Sequence, residues 1–161
     1  MGAVKLDFEI EPQSDSRLCW AAVAVSVARF YKESSGLSQL DLAKRMLGNN
    51  YNRFFAPEKA LVWLGIFSEC LDRPLSREEI FSELQNSHPI AACMKHFVGW
   101  HLVVIYGIDE VGNLLIADSM LGNSIWSLHA FTHEYQKYYH WTHAYKTIGR
   151  SDPIDLHPGM G

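Results

Sequence analysis

Gln13, Cys19, His101 and Asp118 stand in that order along a chain of 161 residues, and their types match the four roles of thiol-based acyl chemistry. An amide donates to a developing oxyanion, a thiolate attacks, an imidazole moves the proton, and a carboxylate orients the imidazole. A free thiol with a pKa of about 8.5 is mostly protonated at neutral pH, so its surroundings have to favour the charged form. Cys19-Trp20 opens an Ala/Val-rich run, which puts the thiol in the first turn of a helix, beside the positive end of the helix dipole. An imidazolium brought from elsewhere would add a full charge.

His101 begins the apolar run Leu102 to Tyr106, so a strand would fix its direction. Asp118 closes Leu114 to Ala117 and is placed to accept the other ring N–H across a hairpin. Gln13 precedes the thiol by six residues, near enough for its amide and the Cys19 N–H to form an oxyanion hole. His96 is a rival base without a long strand behind it. Cys70 and Cys93 lack comparable context and read as structural. Trp100, next to His101, is placed to shield the ion pair; Trp20, Trp63, Trp126 and Trp141 read as core or cleft wall. His129 and His133, and His140 and His143, have the spacing of metal ligands on a helix face, but no further ligand completes a motif and His133-Glu134 lacks the second histidine of a zincin. No metal and no cofactor is expected.

The elements that must carry these residues follow from capping and periodicity. Val4 to Ile10 reads as an extended arm, and the polar turn Pro12 to Ser16 as a cap for a buried helix from Arg17 to about Lys32. Ser38 caps a second helix, Gln39 to Leu47, stopped by Gly48-Asn49-Asn50. Pro57 opens a third, Glu58 to Leu71, and Ser76 with Glu79 forms a capping box for a fourth that ends near Gln85. After Pro89 the period changes to strands at Ile90 to Met94, His101 to Ile108, Leu114 to Asp118, Ser124 to Leu128 and Trp141 to Ile148, with a helix near Phe131 to Tyr138. A helical lobe packed on a small antiparallel sheet, of α+β class, is the predicted architecture.

With 48% hydrophobic and 20% charged residues, residues 1–150 are expected to form one domain, and 151–161, with Pro153, Pro158 and terminal glycines, a loose tail. The net charge of −4 and pI near 6.0 leave no polybasic footprint for nucleic acid. No apolar run reaches the roughly 18 residues of a membrane span, and the N-terminus lacks the apolar core of a signal peptide. Three cysteines without paired spacing argue for a reducing setting. The expected location is therefore cytoplasmic, or outside the cell by a route without such a signal. A peptide or protein substrate is the expected partner; no oligomeric state is indicated.

These residues resemble papain-like cysteine proteases, particularly the small bacterial branches that include bacteriocin-leader peptidases, staphopain-like enzymes and effector proteases. The resemblance runs through Gln13-x5-Cys19-Trp20-Ala21-Ala22, Ser38-Gln39, His88-Pro89-Ile90, Gly99-Trp100-His101 to Gly107, and Leu115-Ile116-Ala117-Asp118. It implies a papain fold with an inter-lobe cleft. It also implies peptide-bond hydrolysis by an endopeptidase with Cys19 as nucleophile, His101 as base, Asp118 as orienter and Gln13 as oxyanion donor. The Cys19-to-His101 separation of 82 residues favours the trimmed bacterial branch over the roughly 130 of papain and cathepsins. Ser119 departs from the proline those relatives carry after the acid. A glutamine deamidase or acyl transferase would share the same thioester, and a non-catalytic binding module would share the fold.

Overall fold

Alanine and valine on every face make a helix that can be packed from all sides, and α1 (Cys19–Phe30) is such a helix: Cys19 to Ala28 are all buried. The computed structural model describes residues 2–33 and 36–149; the expected tail at 151–161 lies outside them. Around α1 stand α2 (Gln39–Leu47) and α3 (Pro57–Trp63), both in contact with it. Its other neighbour is the sheet.

Among the described residues seven strands form that sheet: β1 (Val4–Lys5), β2 (Phe67–Leu71), β3 (Ile90–His96), β4 (Gly99–Ile108), β5 (Leu114–Asp118), β6 (Gly122–Trp126) and β7 (His140–Thr147). The order is β2-β7-β3-β4-β5-β6, every pairing is antiparallel, and β1 pairs with β4 at Ile108 and Gly107, beyond the end of β3. Continuous burial from His101 to Ile108 puts β4 at the centre, and α1 packs against it. α4 (Arg77–Gln85) also lies against β4, and α5 (Leu128–Glu134) against β7. This is the α+β arrangement of helices on an antiparallel sheet.

Two expectations are corrected. The third helix does not run to Leu71. It stops at Trp63 because Gly65 takes φ +75° and Ile66 N–H bonds Leu61 O while Gly65 N–H bonds Val62 O. That pair of bonds is a Schellman stop, with buried Ile66 and Leu61 as its apolar contact. The chain then turns into β2, paired with β7. The turn before α1 does not cap it either: Leu18 occupies the cap position and no side chain bonds the helix N-terminus. Smaller shifts move α5 to Leu128–Glu134, capped by Ser127, and lengthen β3 and β4 into a hairpin whose tip holds Phe97 and Val98. Among the described residues no helix is long and apolar enough to cross a membrane.

Candidate active site

β4 and β5 fix the base and its partner. In their register Val104 faces Ala117, so Asp118 stands opposite Val103 and His101 is its diagonal neighbour on the same face. That diagonal is closed by a 2.8 Å hydrogen bond between His101 Nε2 and Asp118 Oδ1. Asp118 Oδ1 also accepts Met120 N–H at 2.8 Å and Leu121 N–H at 3.1 Å, while Oδ2 accepts the Tyr135 hydroxyl at 2.6 Å. His101 is 5% exposed and Asp118 1%, so the pair lies under low dielectric where each bond counts for more.

With Nε2 taken, Nδ1 is the ring atom left for Cys19, whose side chain favours the charged imidazole. Burial opposes charge on His101, but the hydrogen bonds to Asp118 and Cys19, with the charges of both, outweigh it and push its pKa up to about 9. Burial alone would raise the Asp118 carboxyl; the His101 bond and charge, then Tyr135 and the Met120 N–H, hold it below the usual carboxylate range instead. The imidazole is therefore a cation between two potential anions at neutral pH. Cys19 is 1% exposed at the first residue of α1.

Gln13 is held from both ends. Its N–H bonds Ser119 O at 2.9 Å, its Oε1 accepts the Ser119 hydroxyl at 2.7 Å, and its Nε2 donates to Asp15 O at 2.8 Å. One Nε2 hydrogen remains after these bonds. The arm that carries it is clamped by buried Gln39 of α2, whose Oε1 accepts Ser14 N–H and whose Nε2 donates to Glu11 Oε2 and Pro12 O. Ser119 thus supplies a hydroxyl that proline could not, and Gln39 supplies the anchor; sequence reading noted both positions without these contacts.

The remaining candidates fall elsewhere. His96 lies on β3 with its ring 4.7 Å from Tyr139, and the ring next to His101 is Tyr139 at 6.1 Å. Trp100 instead lines a cavity and packs tilted against Phe54, with ring centroids 5.1 Å apart. Cys93 also lines that cavity, and burial pushes its thiol up to about 11; burial raises Cys70 as well. Trp20, fully buried, donates from Nε1 to Arg53 O at 2.8 Å and packs on Phe55, fixing the loop that forms one cavity wall. His129 and His133 share α5 with rings 4.7 Å apart, whereas His140 and His143 lie on β7. Among the described residues no three metal-binding side chains converge.

The cavity, about 380 Å³, runs between that loop and the sheet and is lined by Phe54, Phe55, Ala56, Pro57, Glu58, Cys93, Lys95, Trp100, Thr142, His143 and Tyr145. Trp100, the residue before His101 on β4, lies in its lining, whereas Cys19, His101 and Asp118 do not. Apolar walls with a few polar groups are the usual make-up of a site for one side chain of a ligand.

Comparison with known proteins gives a family and solved structures of similar fold. The family described as papain-like cysteine protease AvrRpt2 matches residues 2–136. A solved double glycine motif protease from an AMS/PCAT transporter, in complex with the leader peptide, is similar in fold at a TM-score of 0.57 and 18% sequence identity, over 92% of this chain and 99% of that one. No curated protein matches.

Proposed function

The chain belongs to the papain-like cysteine protease family of AvrRpt2, and from that premise we propose that it is an endopeptidase acting through a thioester on Cys19. The Cys19 thiolate attacks the carbonyl carbon of a bound peptide. Negative charge moves to the carbonyl oxygen, where the spare Gln13 Nε2–H and the Cys19 backbone N–H receive it. His101 gives its Nδ1 proton to the departing amine, which leaves with the C–N bond, and the acyl group stays on sulfur. Water then loses a proton to His101, adds to the thioester, and expels the thiolate. Asp118 keeps the imidazole in the right orientation and supports its charge.

The observation that carries this reading is the buried 2.8 Å bond between His101 and Asp118, together with the pull of Asp118 and Cys19 that biases the imidazole towards its cation. In the transporter protease of similar fold a leader peptide is bound; for this chain the proposed occupant of the cleft is likewise a peptide segment, with one large apolar side chain in the cavity beside Trp100.

The test is labelling and mass spectrometry on one preparation. Iodoacetamide or an E-64-type epoxide at pH 6 should modify Cys19 far faster than Cys70 or Cys93, and candidate proteins should be cut. Uncut substrates that gain about one dalton on glutamine would make the protein a deamidase, and acyl exchange without cleavage a transferase. Equal labelling of all three thiols would leave a binding module without an activated nucleophile.

A further inference from the structure

Tyr135 is a buried side chain whose polar end the mechanism above does not use. Its ring is fully enclosed, with Trp126 at 5.0 Å and Phe131 at 5.4 Å, and its hydroxyl reaches Asp118 Oδ2 at 2.6 Å. The two carboxylate oxygens are unequally served. Oδ1 has three donors, His101, Met120 and Leu121, whereas among the described residues Oδ2 has one, Tyr135. The chain around Tyr135 is also bent to turn it inward. Gln136 and Lys137 both have positive φ, 50° and 75°, a conformation that non-glycine residues adopt at a cost, and Tyr139 N–H returns to Tyr135 O at 3.0 Å.

We propose that Tyr135 is a positioning residue of the thiol site: its hydroxyl holds the Asp118 carboxylate charged and turned so that Oδ1 faces His101. This rests on the Cys19–His101–Asp118 reading given above. Burial raises the phenol, so Tyr135 stays protonated and keeps its role as donor. Without the hydroxyl, Oδ2 would be a buried anionic acceptor with no partner, which is costly. Protonation of the carboxyl at Oδ2 relieves that cost. A neutral Asp118 no longer fixes the direction of the imidazolium, which stays charged at acid pH but is no longer held against the thiolate. The pH below which the pair collapses therefore rises. The titratable groups facing Asp118 are His101 from β4, Cys19 behind it from α1, and Tyr135 and Tyr139 from the segment after α5; His96 stands beyond Tyr139.

The experiment follows alkylation of Cys19 by iodoacetamide from about pH 3 to 10, read by mass spectrometry, and needs no knowledge of the substrate. Tyr135→Phe should move the acid limb up by about one pH unit, an effect equal to about tenfold in the ionisation constant, and lower kcat on any cleaved peptide about tenfold with KM unchanged. Incorporating 3-fluorotyrosine at position 135, a stronger donor, should move the limb the other way. A folded Tyr135→Phe protein with the wild-type limb overturns the proposal, and so, if that variant does not fold, does an unmoved limb in the fluorotyrosine protein. Phe131→Leu, which disturbs the same packing without touching Asp118, should leave the limb in place; an equal shift there would make Tyr135 a packing residue only. If wild-type Cys19 reacts no faster at pH 6 than Cys70 and Cys93, the thiol-site reading fails first, a result distinct from an unmoved limb.

Discussion

α2 and α4 begin with the same device, and α1 does without it. Ser38 accepts Asp41 N–H and Asp41 reaches back to Ser38 N–H; Ser76 and Glu79 repeat the exchange at α4, where Arg73 adds a pair of bonds to Glu79. Each box satisfies two donors that would otherwise face solvent unpaired. The first residue of α1 is Cys19, and no side chain caps that end. α3 has no side-chain cap either, but it opens on Pro57, which has no N–H to satisfy, whereas α1 opens on the thiol residue itself with its first N–H groups uncapped by any side chain. In the mechanism proposed above, a cap on α1 would occupy the donors that the oxyanion requires, so local stability and local chemistry would compete for the same hydrogens.

The sharpest test of that contrast is to remove what the open helix end serves. Cys19→Ala should abolish turnover, a loss on the order of 10⁴-fold or more, with the fold unchanged by circular dichroism. His101→Ala should do the same, and surviving activity would shift the base to His96. Gln13→Ala should lower kcat by about 100- to 1000-fold with little change in KM; a loss below tenfold would mean that the open N–H groups act without it, and the contrast would lose its chemical half.

pH separates the two regions next. Because His101 is raised from its ordinary 6.5 to about 9, the stability its partners provide is complete below about pH 6.5 and is lost as pH rises through about 9. Activity should fall there by about tenfold per unit, since the imidazolium proton is the one delivered to the leaving group. Glu79 behaves oppositely. Its bonds to Arg73 and to the Ser76 N–H hold it down at about 2, so the α4 cap should weaken only as pH falls from about 4.5 towards 2. A rate profile that follows the acid transition of α4 would contradict the separation.

The smallest effects belong to the caps. Ser38→Ala and Ser76→Ala should each cost about 1 kcal/mol in urea unfolding while leaving kcat/KM unchanged. A drop in rate matching the loss of stability would show that the helix ends are not independent.

What could be read in advance follows from how local each signal is. The Ser38 and Ser76 boxes span four residues, and α2 and α4 start where their caps predict. Cys19, His101 and Asp118 could be singled out as candidates because few residue types can serve those roles and because their flanking runs fix direction, and the structure places His101 against Asp118. β2 was hidden in an apparent helix because the feature that makes it a strand, pairing with β7, lies more than seventy residues downstream; only Gly65 hinted at the break. Ser119 could be seen as a departure but not as the holder of Gln13, 106 residues away. Tyr135 gave no signal at all, since a tyrosine among aromatic neighbours reads as core until its hydroxyl is seen to end on a carboxylate.

The adjacency of Asp118 and Ser119 also has a meaning in time. One residue holds His101 and the next holds Gln13, so a chain that ends before residue 118 has a nucleophile with neither its base steadied nor its amide fixed. At about 5–20 residues per second of synthesis, the hundred residues between Cys19 and this dipeptide delay the finished site by roughly 5–20 seconds. The thiol emerges early, and the parts that would arm it arrive late. A thiol site built in this order is complete only once residues 118 and 119 have been made.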